Sequence, residues 1–473
     1  NIIEFKEFKK KGRGISATIE NENSTNTSDL YTKTSTRFFQ SGNLADDRNQ
    51  FRNDDSKKDK IEVELGYSEP LRDSLVFNFE TVYSYEKSRD NRITYDFDNT
   101  FNSYSNFNGL LSNDITSSIS SVTPMVGISI SKKKFRGSIS MGTEIVNFNN
   151  QSDYLSNKTR VNKKYMYPKM NGYVSIPLGK SKSIYSYYSY SIDLPSANQI
   201  LPFENLSNPL NTIIGNADLK PSESYSLYFN FNNYDYPTRS GFYAYAGGKY
   251  NRNQITASTT YNSDFKASTT YQNVDEAYNY YVGFSLNKSV KKEKRTLKYG
   301  LGMQVGYDYN QGLTNAALFE SKGLRLSPRA NITWSIEDLI TINPTYRYTH
   351  ISNDYSNYVI DNTKSFQHNA KLEITTYWPK KVVLGSDFGY NYNSNIADGF
   401  QKDFYLWNLS LGYNFYHDKL LAKVKIYDVL NQNVSAVRTI TPTAITDAEN
   451  TVLQQYAMFS LTYKLGNFGA KKK

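Results

Sequence analysis

The stretch 454-QQYAMFSLTYKLGNF-468 decides how this chain folds. Taken two residues at a time, Ala457, Phe459, Leu461, Tyr463 and Leu465 share one face, and Met458, Ser460, Thr462, Lys464 and Gly466 share the other. This is a strand with one apolar wall and aromatics toward both ends of that wall. Followed only by a short basic tail, it suits the closing strand of a transmembrane β-barrel.

Working outward, the same pattern recurs. In 297–309, Leu297, Tyr299, Leu301, Met303, Val305, Tyr307 and Tyr309 oppose Lys298, Gly300, Gly302, Gln304, Gly306 and Asp308. Such a segment matches a tilted strand that meets lipid with its odd-numbered residues. Comparable faces run through Tyr405, Trp407, Leu409, Leu411, Tyr413 and Phe415, and through Val382, Leu384, Phe388, Tyr390 and Tyr392. Further toward the N-terminus lie Leu75, Phe77, Phe79, Tyr83 and Tyr85, then Ile61, Val63, Leu65 and Tyr67, then Ile15, Ala17 and Ile19.

Composition agrees with this reading. The chain has 473 residues without a composition shift or a Pro/Ser-rich linker, so 1–473 reads as one domain. Its mean hydropathy of -0.64 suggests a soluble protein. Strands wet on one face and greasy on the other, however, average to a polar value, and no run long enough for a membrane helix occurs. The 42 tyrosines fit interfacial girdles, where a ring and a hydroxyl both find partners. The absence of Cys removes disulfides, thiol chemistry and Cys-based zinc sites. A net charge of +10, spread over short clusters such as Lys132-Lys133-Lys134, Lys291-Lys292 and Lys380-Lys381, gives no contiguous nucleic-acid groove. Residues 1–13 hold no apolar segment flanked by a cleavage site, so a signal peptide is expected to have been removed or the chain to be a fragment.

The connections set the topology. Short turns are expected near 70–73, 131–134, 178–181, 234–239, 288–295, 336–338, 378–380 and 416–419. Longer polar segments alternate with them, near 87–116, 149–163, 193–222, 253–276, 310–321, 351–363, 394–401 and 429–453. Alternating short and long connections are the layout of an antiparallel up-and-down outer-membrane barrel, with the short turns periplasmic and the long loops outside. The segments number about 19, starting from a weak one at 2–9. Single-chain bacterial barrels have an even number, so about three more strands are expected to complete a barrel of about 22.

Apparent chemical motifs dissolve against this background. Gly300, Gly302 and Gly306 imitate a dinucleotide fingerprint but have the wrong spacing and sit within a strand, where small residues on an inner wall account for them. His350, His368 and His417 lack metal-ligand spacing. Asp96 and Asp98 lack the Gly and terminal Glu of a calcium-binding hand. No serine is paired with a placed base. No catalytic, metal or cofactor site is therefore assigned, and the chain is not expected to be an enzyme.

Two regions carry a family resemblance. Segment 195–221, PSANQILPFENLSNPLNTIIGNADLKP, resembles a loop of TonB-dependent outer-membrane receptors, especially the outer-membrane β-barrel family found in Bacteroidetes. The ending is similar too, with Tyr427-Asp428-Val429-Leu430-Asn431-Gln432-Asn433 and then Gln455-Tyr456-Ala457-Met458-Phe459-Ser460-Leu461-Thr462-Tyr463, and Tyr67-Ser68-Glu69-Pro70-Leu71 matches a turn of the same family. The resemblance implies a barrel of about 22 strands, filled by an N-terminal plug, that imports a scarce ligand on energy passed by TonB. Neither a plug nor a TonB-binding box is recognisable in this sequence. The expected partners are outer-membrane lipid and lipopolysaccharide, TonB if a plug precedes the chain, and a surface lipoprotein or other envelope protein; nucleic acid is not among them. Loop 193–222, through Phe203 and Asn205, and loop 253–276, through Tyr261 and Tyr271, offer candidate contact surfaces, with loop-on-loop packing as the alternative role. Two other functions remain open, a structural or assembly subunit and a passive porin.

Overall fold

The fold was taken from a computed structural model, which describes residues 2–38, 44–155, 157–264, 266–357, 362–416, 419–441 and 444–464. It begins with β1 (Ile2–Glu7), β2 (Gly14–Phe38), β3 (Leu44–Arg72) and β4 (Leu75–Asp98). A connection holding the short β5 (Ser103–Phe107) leads to β6 (Asn113–Lys132), β7 (Phe135–Tyr154), β8 (Asn157–Pro177) and β9 (Lys182–Asp193). The next connection carries the one-turn helix α1 (Ala197–Ile200), β10 (Glu204–Asn208) and β11 (Asn211–Ile214). Then come β12 (Ser222–Asp235), β13 (Ser240–Tyr261), β14 (Ala267–Lys292), β15 (Arg295–Thr314), β16 (Ala317–Ile336) and β17 (Ile340–Ser356). The wall ends with β18 (Thr363–Thr376), β19 (Val382–Asn393), β20 (Asp403–Phe415), β21 (Leu420–Tyr427) and β24 (Tyr456–Tyr463), the last two separated by a hairpin of β22 (Ser435–Thr441) and β23 (Ala444–Asn450).

Setting aside the five short strands inside connections leaves nineteen wall strands, the number expected from the sequence. Each pairs antiparallel with the next, without a crossover. Strictly antiparallel neighbours in odd number cannot close on one another antiparallel. Among the described residues no ladder joins β1 to β24, and the sheet is open there.

The faces follow the sequence pattern. Leu297, Tyr299 and Leu301 are exposed on the outer wall, as are Leu384, Phe388, Tyr405, Leu411, Phe459 and Leu461. In register with Leu301 stand Leu286 and Ala330. Leu465, Gly466, Phe468 and His417 lie outside the described residues. Five of the tyrosines form a row: Tyr190, Tyr225, Tyr250, Tyr278 and Tyr309 are cross-strand partners on five successive wall strands. Neighbouring rings lie with centroids 4.7, 6.0, 6.4 and 4.8 Å apart. Toward the short-turn end, Tyr236, Trp334, Trp378 and Tyr416 are exposed. The twelve residue steps from Leu297 to Tyr309, at about 3.4 Å each and a tilt of about 40°, span roughly 30 Å, enough to cross the hydrocarbon core.

The long connections differ from expectation. Segments 149–163, 253–276 and 310–321 are mostly strand, because β7–β8, β13–β14 and β15–β16 run on as tall hairpins whose tips are only a few residues long. The polar run at 39–59 likewise becomes strand from Leu44 onward. The cause is physical: beyond the bilayer neither face meets lipid, so apolar alternation stops while backbone pairing continues. Length asymmetry survives as strand height, with short turns collected at the other end.

Candidate functional site

The long connection between β9 and β12 folds inward. On β6, Val122, Val126 and Ile128 face out, but higher up Ile115 and Ile119 face in. The same switch on β7 separates outward Ile139, Met141 and Ile145 from inward Val146 and Phe148. Onto this inward patch, completed by Val161, the connection places Ile200, Leu201 and Phe203, giving one buried apolar cluster inside the barrel mouth. Complete burial of three such side chains contributes about 1.5–3 kcal/mol each.

Family-motif residues shape that fold. The Asn216 amide nitrogen donates to the Tyr271 carbonyl at 2.8 Å, and its side-chain oxygen accepts the Asp218 N–H at 2.9 Å. A Cβ on Gly215 would collide with the Leu201 backbone, so only glycine permits that approach. Pro195, Leu219 and Pro221 are fully buried. Residues 211–213 then pair in parallel with 267–269 of β14. At its far tip the connection reaches β3, where Arg48 donates to the Leu206 and Ser207 carbonyls at 3.0 and 3.4 Å. Asp46 accepts from the same guanidinium at 2.7 and 2.9 Å, which holds its carboxyl below the usual range, and Lys266 adds to the effect. One connection therefore ties the mouth together from β3 to β14.

The remaining motif residues are also clamps. Asp428, almost fully buried, accepts the Gln432 and Asn433 N–H groups at 3.0 Å each. Glu69, at the short-turn rim, takes Arg13 at 2.7 and 2.9 Å, Lys10 at 2.6 Å and the Tyr67 hydroxyl at 2.6 Å. These cations, Arg13 first, hold its carboxyl well below the ordinary carboxylate range.

The sequence-proposed contacts do not converge. Phe203 is buried in the apolar cluster and rests against Tyr154 with ring centroids 6.0 Å apart, which is the packing role. Asn205 lines a cavity of about 280 Å³ with Asp54, Asp90, Arg92, Asn113 and Asn198. The Tyr261 N–H bonds Asn315 and the Tyr271 carbonyl bonds Asn216, so both belong to loop contacts. Among the described residues no three metal-ligating side chains gather. Asp96 accepts from Gln50 and Asn108, a structural role. Gly300 and Gly302 lie on the inner wall beneath Asn331 and Arg329.

Sequence reasoning missed two features. Asn150 and Ser152, one and zero per cent exposed on the inner face of β7 beside the cluster, have no hydrogen-bond partner among the described residues. Charge on the inner wall is also uneven. Glu20 of β2, Glu62 and Glu64 of β3, and Glu80 and Glu86 of β4 point inward around Lys58 and Lys60, whereas Arg325, Arg329, Arg347 and Lys371 point inward from β16 to β18.

A chain of antiparallel strands with a lipid-facing wall, a row of tyrosines and a charged lumen is a membrane β-barrel. It matches the outer membrane protein beta-barrel family over residues 6–463 and belongs to that family, which places it in the outer membrane. Among solved structures it is similar to the ferric citrate transporter FecA, with a TM-score of 0.45 and 11% identity, covering 95% of this chain and 62% of FecA. The copper transporter OprC is similar with a TM-score of 0.43 and 7% identity over 98% of this chain and 79% of OprC. The siderophore receptor PirA from Pseudomonas aeruginosa follows with 0.37 and 10%, over 96% of this chain and 78% of PirA. No curated protein matches the chain.

Proposed function

We propose that this chain is the barrel of a TonB-dependent outer-membrane receptor that takes up a scarce ligand. The observation that carries the reading is the mouth. A wide, charged lumen is crossed at one end by a connection packed on the inner wall and tied to β3 and β14, an arrangement that opposes free diffusion and favours capture. In this reading a plug closes the lumen, and TonB drives the plug. Lipopolysaccharide surrounds the outer wall, and a surface lipoprotein partner sits over the mouth. The chain carries out no bond chemistry of its own.

The test compares cells lacking this gene with cells lacking TonB. Each strain is profiled for compounds that it no longer accumulates from a complex medium. The proposal expects one depleted compound class common to both. A compound lost with the gene but retained without TonB identifies a passive porin, and loss of a co-purifying complex without any uptake defect identifies an assembly subunit.

A further inference from the structure

Arg329 of β16 and Arg347 of β17 are direct cross-strand partners on the inner wall, both exposed to the lumen. Like charges placed opposite each other on a sheet repel. Their surroundings supply no compensation: along β16 the inward neighbours are Ser327 and Asn331, along β17 they are Thr345 and Thr349, and across from Arg347 stands Asn369. Among the described residues the side chains of Arg329, Arg347 and Arg325, one inward position beyond Ser327, enter no hydrogen bond or ion pair; their backbones pair within the ladders. Below them on the inner wall, Glu373 is engaged by Lys371 and by the Asn343 amide.

The wall is shaped to leave these guanidinium groups room. Across from Arg329 stands Gly302, and a Cβ there would come within 2.7 Å of the Arg329 Nε. Arg325 opens into a cavity of about 320 Å³ on the mouth side, where the two cations Arg325 and Arg438 stand with one carboxylate, Asp308, and with Asn353, Ser365 and Asn395. Arg438 comes from the β22–β23 hairpin and is held by Asp447 at 2.7 and 2.9 Å. Cations thus outnumber carboxylates from the cavity at the mouth, where Asp308 is the one acid, to the paired arginines further down the lumen.

We propose that Arg329 and Arg347 form an oxyanion station, taking the phosphate or carboxylate group of the ligand after capture near Arg325. Paired guanidinium forks present parallel N–H donors to such oxygens, and the bound anion cancels the repulsion between them. The proposal rests on the receptor reading for its purpose, but the binding itself needs neither TonB nor uptake.

The test uses the full gene product in detergent micelles, with inorganic phosphate as the probe and sodium chloride matching the ionic strength. The melting midpoint of the wild type is expected to rise with phosphate and to saturate, following mass action on a folded-state site. Arg329→Gln with Arg347→Gln is expected to abolish that rise and, without phosphate at low salt, to melt no lower than the wild type. Arg347→Gln alone, with ³¹P line broadening as a second readout, covers failure of the double variant to fold. No phosphate response in the wild type, or the same response in the variants, overturns the station. A saturable response lost in the variants, together with uptake unaffected by loss of TonB, keeps the station and removes the receptor reading.

Discussion

Placing an arginine on the outer wall of β15 separates lipid from lumen. Leu301 lies six residues above Arg295, the first residue of the strand. At about 3.4 Å per residue and a tilt of about 40°, this puts it roughly 15 Å above the short-turn end, near the middle of an apolar band about 25 Å tall. It is 54% exposed and flanked by Leu286 and Ala330, so a longer side chain there meets hydrocarbon, not a polar neighbour. Leu301→Arg is expected to destabilise the barrel by about 2–4 kcal/mol, the range for arginine at the midplane. Gln304 faces the lumen between Gly283 and Ser327, diagonal to Arg325 and Arg329, and Gln304→Arg is expected to cost no more than about 1 kcal/mol, the repulsion of one more cation in a wet lumen. Urea unfolding of protein refolded in lipid vesicles, read by heat-modifiable gel mobility, measures both. Equal losses, or a larger loss at Gln304, refute the facing of the whole wall.

Other expectations concern the mouth and the rim. Leu201→Ala empties part of the inward cluster at a cost of about 2–5 kcal/mol, and hydrogen exchange is expected to rise in 197–214 and not in the β15–β16 wall. Arg48→Ala is expected to free 204–208 alone, leaving the Asn216 anchor protected. The Asp46–Arg48 tie is intact above the ordinary carboxyl value of 3.8 and weakens as the pH falls below it, because a lowered folded-state value means that protonation favours release. A fluorophore on Leu210→Cys reports that release, and Asp46→Asn is expected to remove its acid dependence. On intact cells, Ser263→Cys is expected to react with an impermeant maleimide and Lys133→Cys to remain unlabelled; the reverse pattern inverts the topology.

Much of the wall was legible in the sequence because lipid imposes period two wherever a strand crosses the bilayer. Leu297 to Tyr309 shows it plainly, and the count of nineteen wall strands came from such runs. The tops of the strands were not legible as strands. At Asn149–Asn150 or Asn310–Gln311, polar residues occupy both faces, and composition there is the same for a hairpin and for a loop. The inward connection left a signal that went unused. Ile145 and Val146 are consecutive, and the apolar side changes from odd to even at that point, marking where lipid ends and a lumenal apolar partner begins. Phe203 stayed open between ligand contact and packing, because a lone aromatic in a polar loop does not show what covers it. The facing of Arg329 and Arg347 depends on register between strands joined by a tight turn, which no single-strand pattern reveals.

The account stands most directly on the packing of the 194–221 connection against the inner wall. Leu201→Cys combined with Val146→Cys, treated in native membranes with a short bifunctional maleimide, tests it in one step. The account predicts an internal cross-link for that pair and none for Leu201→Cys with Ile145→Cys, whose side chain meets lipid on the other side of the same strand. A cross-link to position 145 and none to position 146 would contradict it.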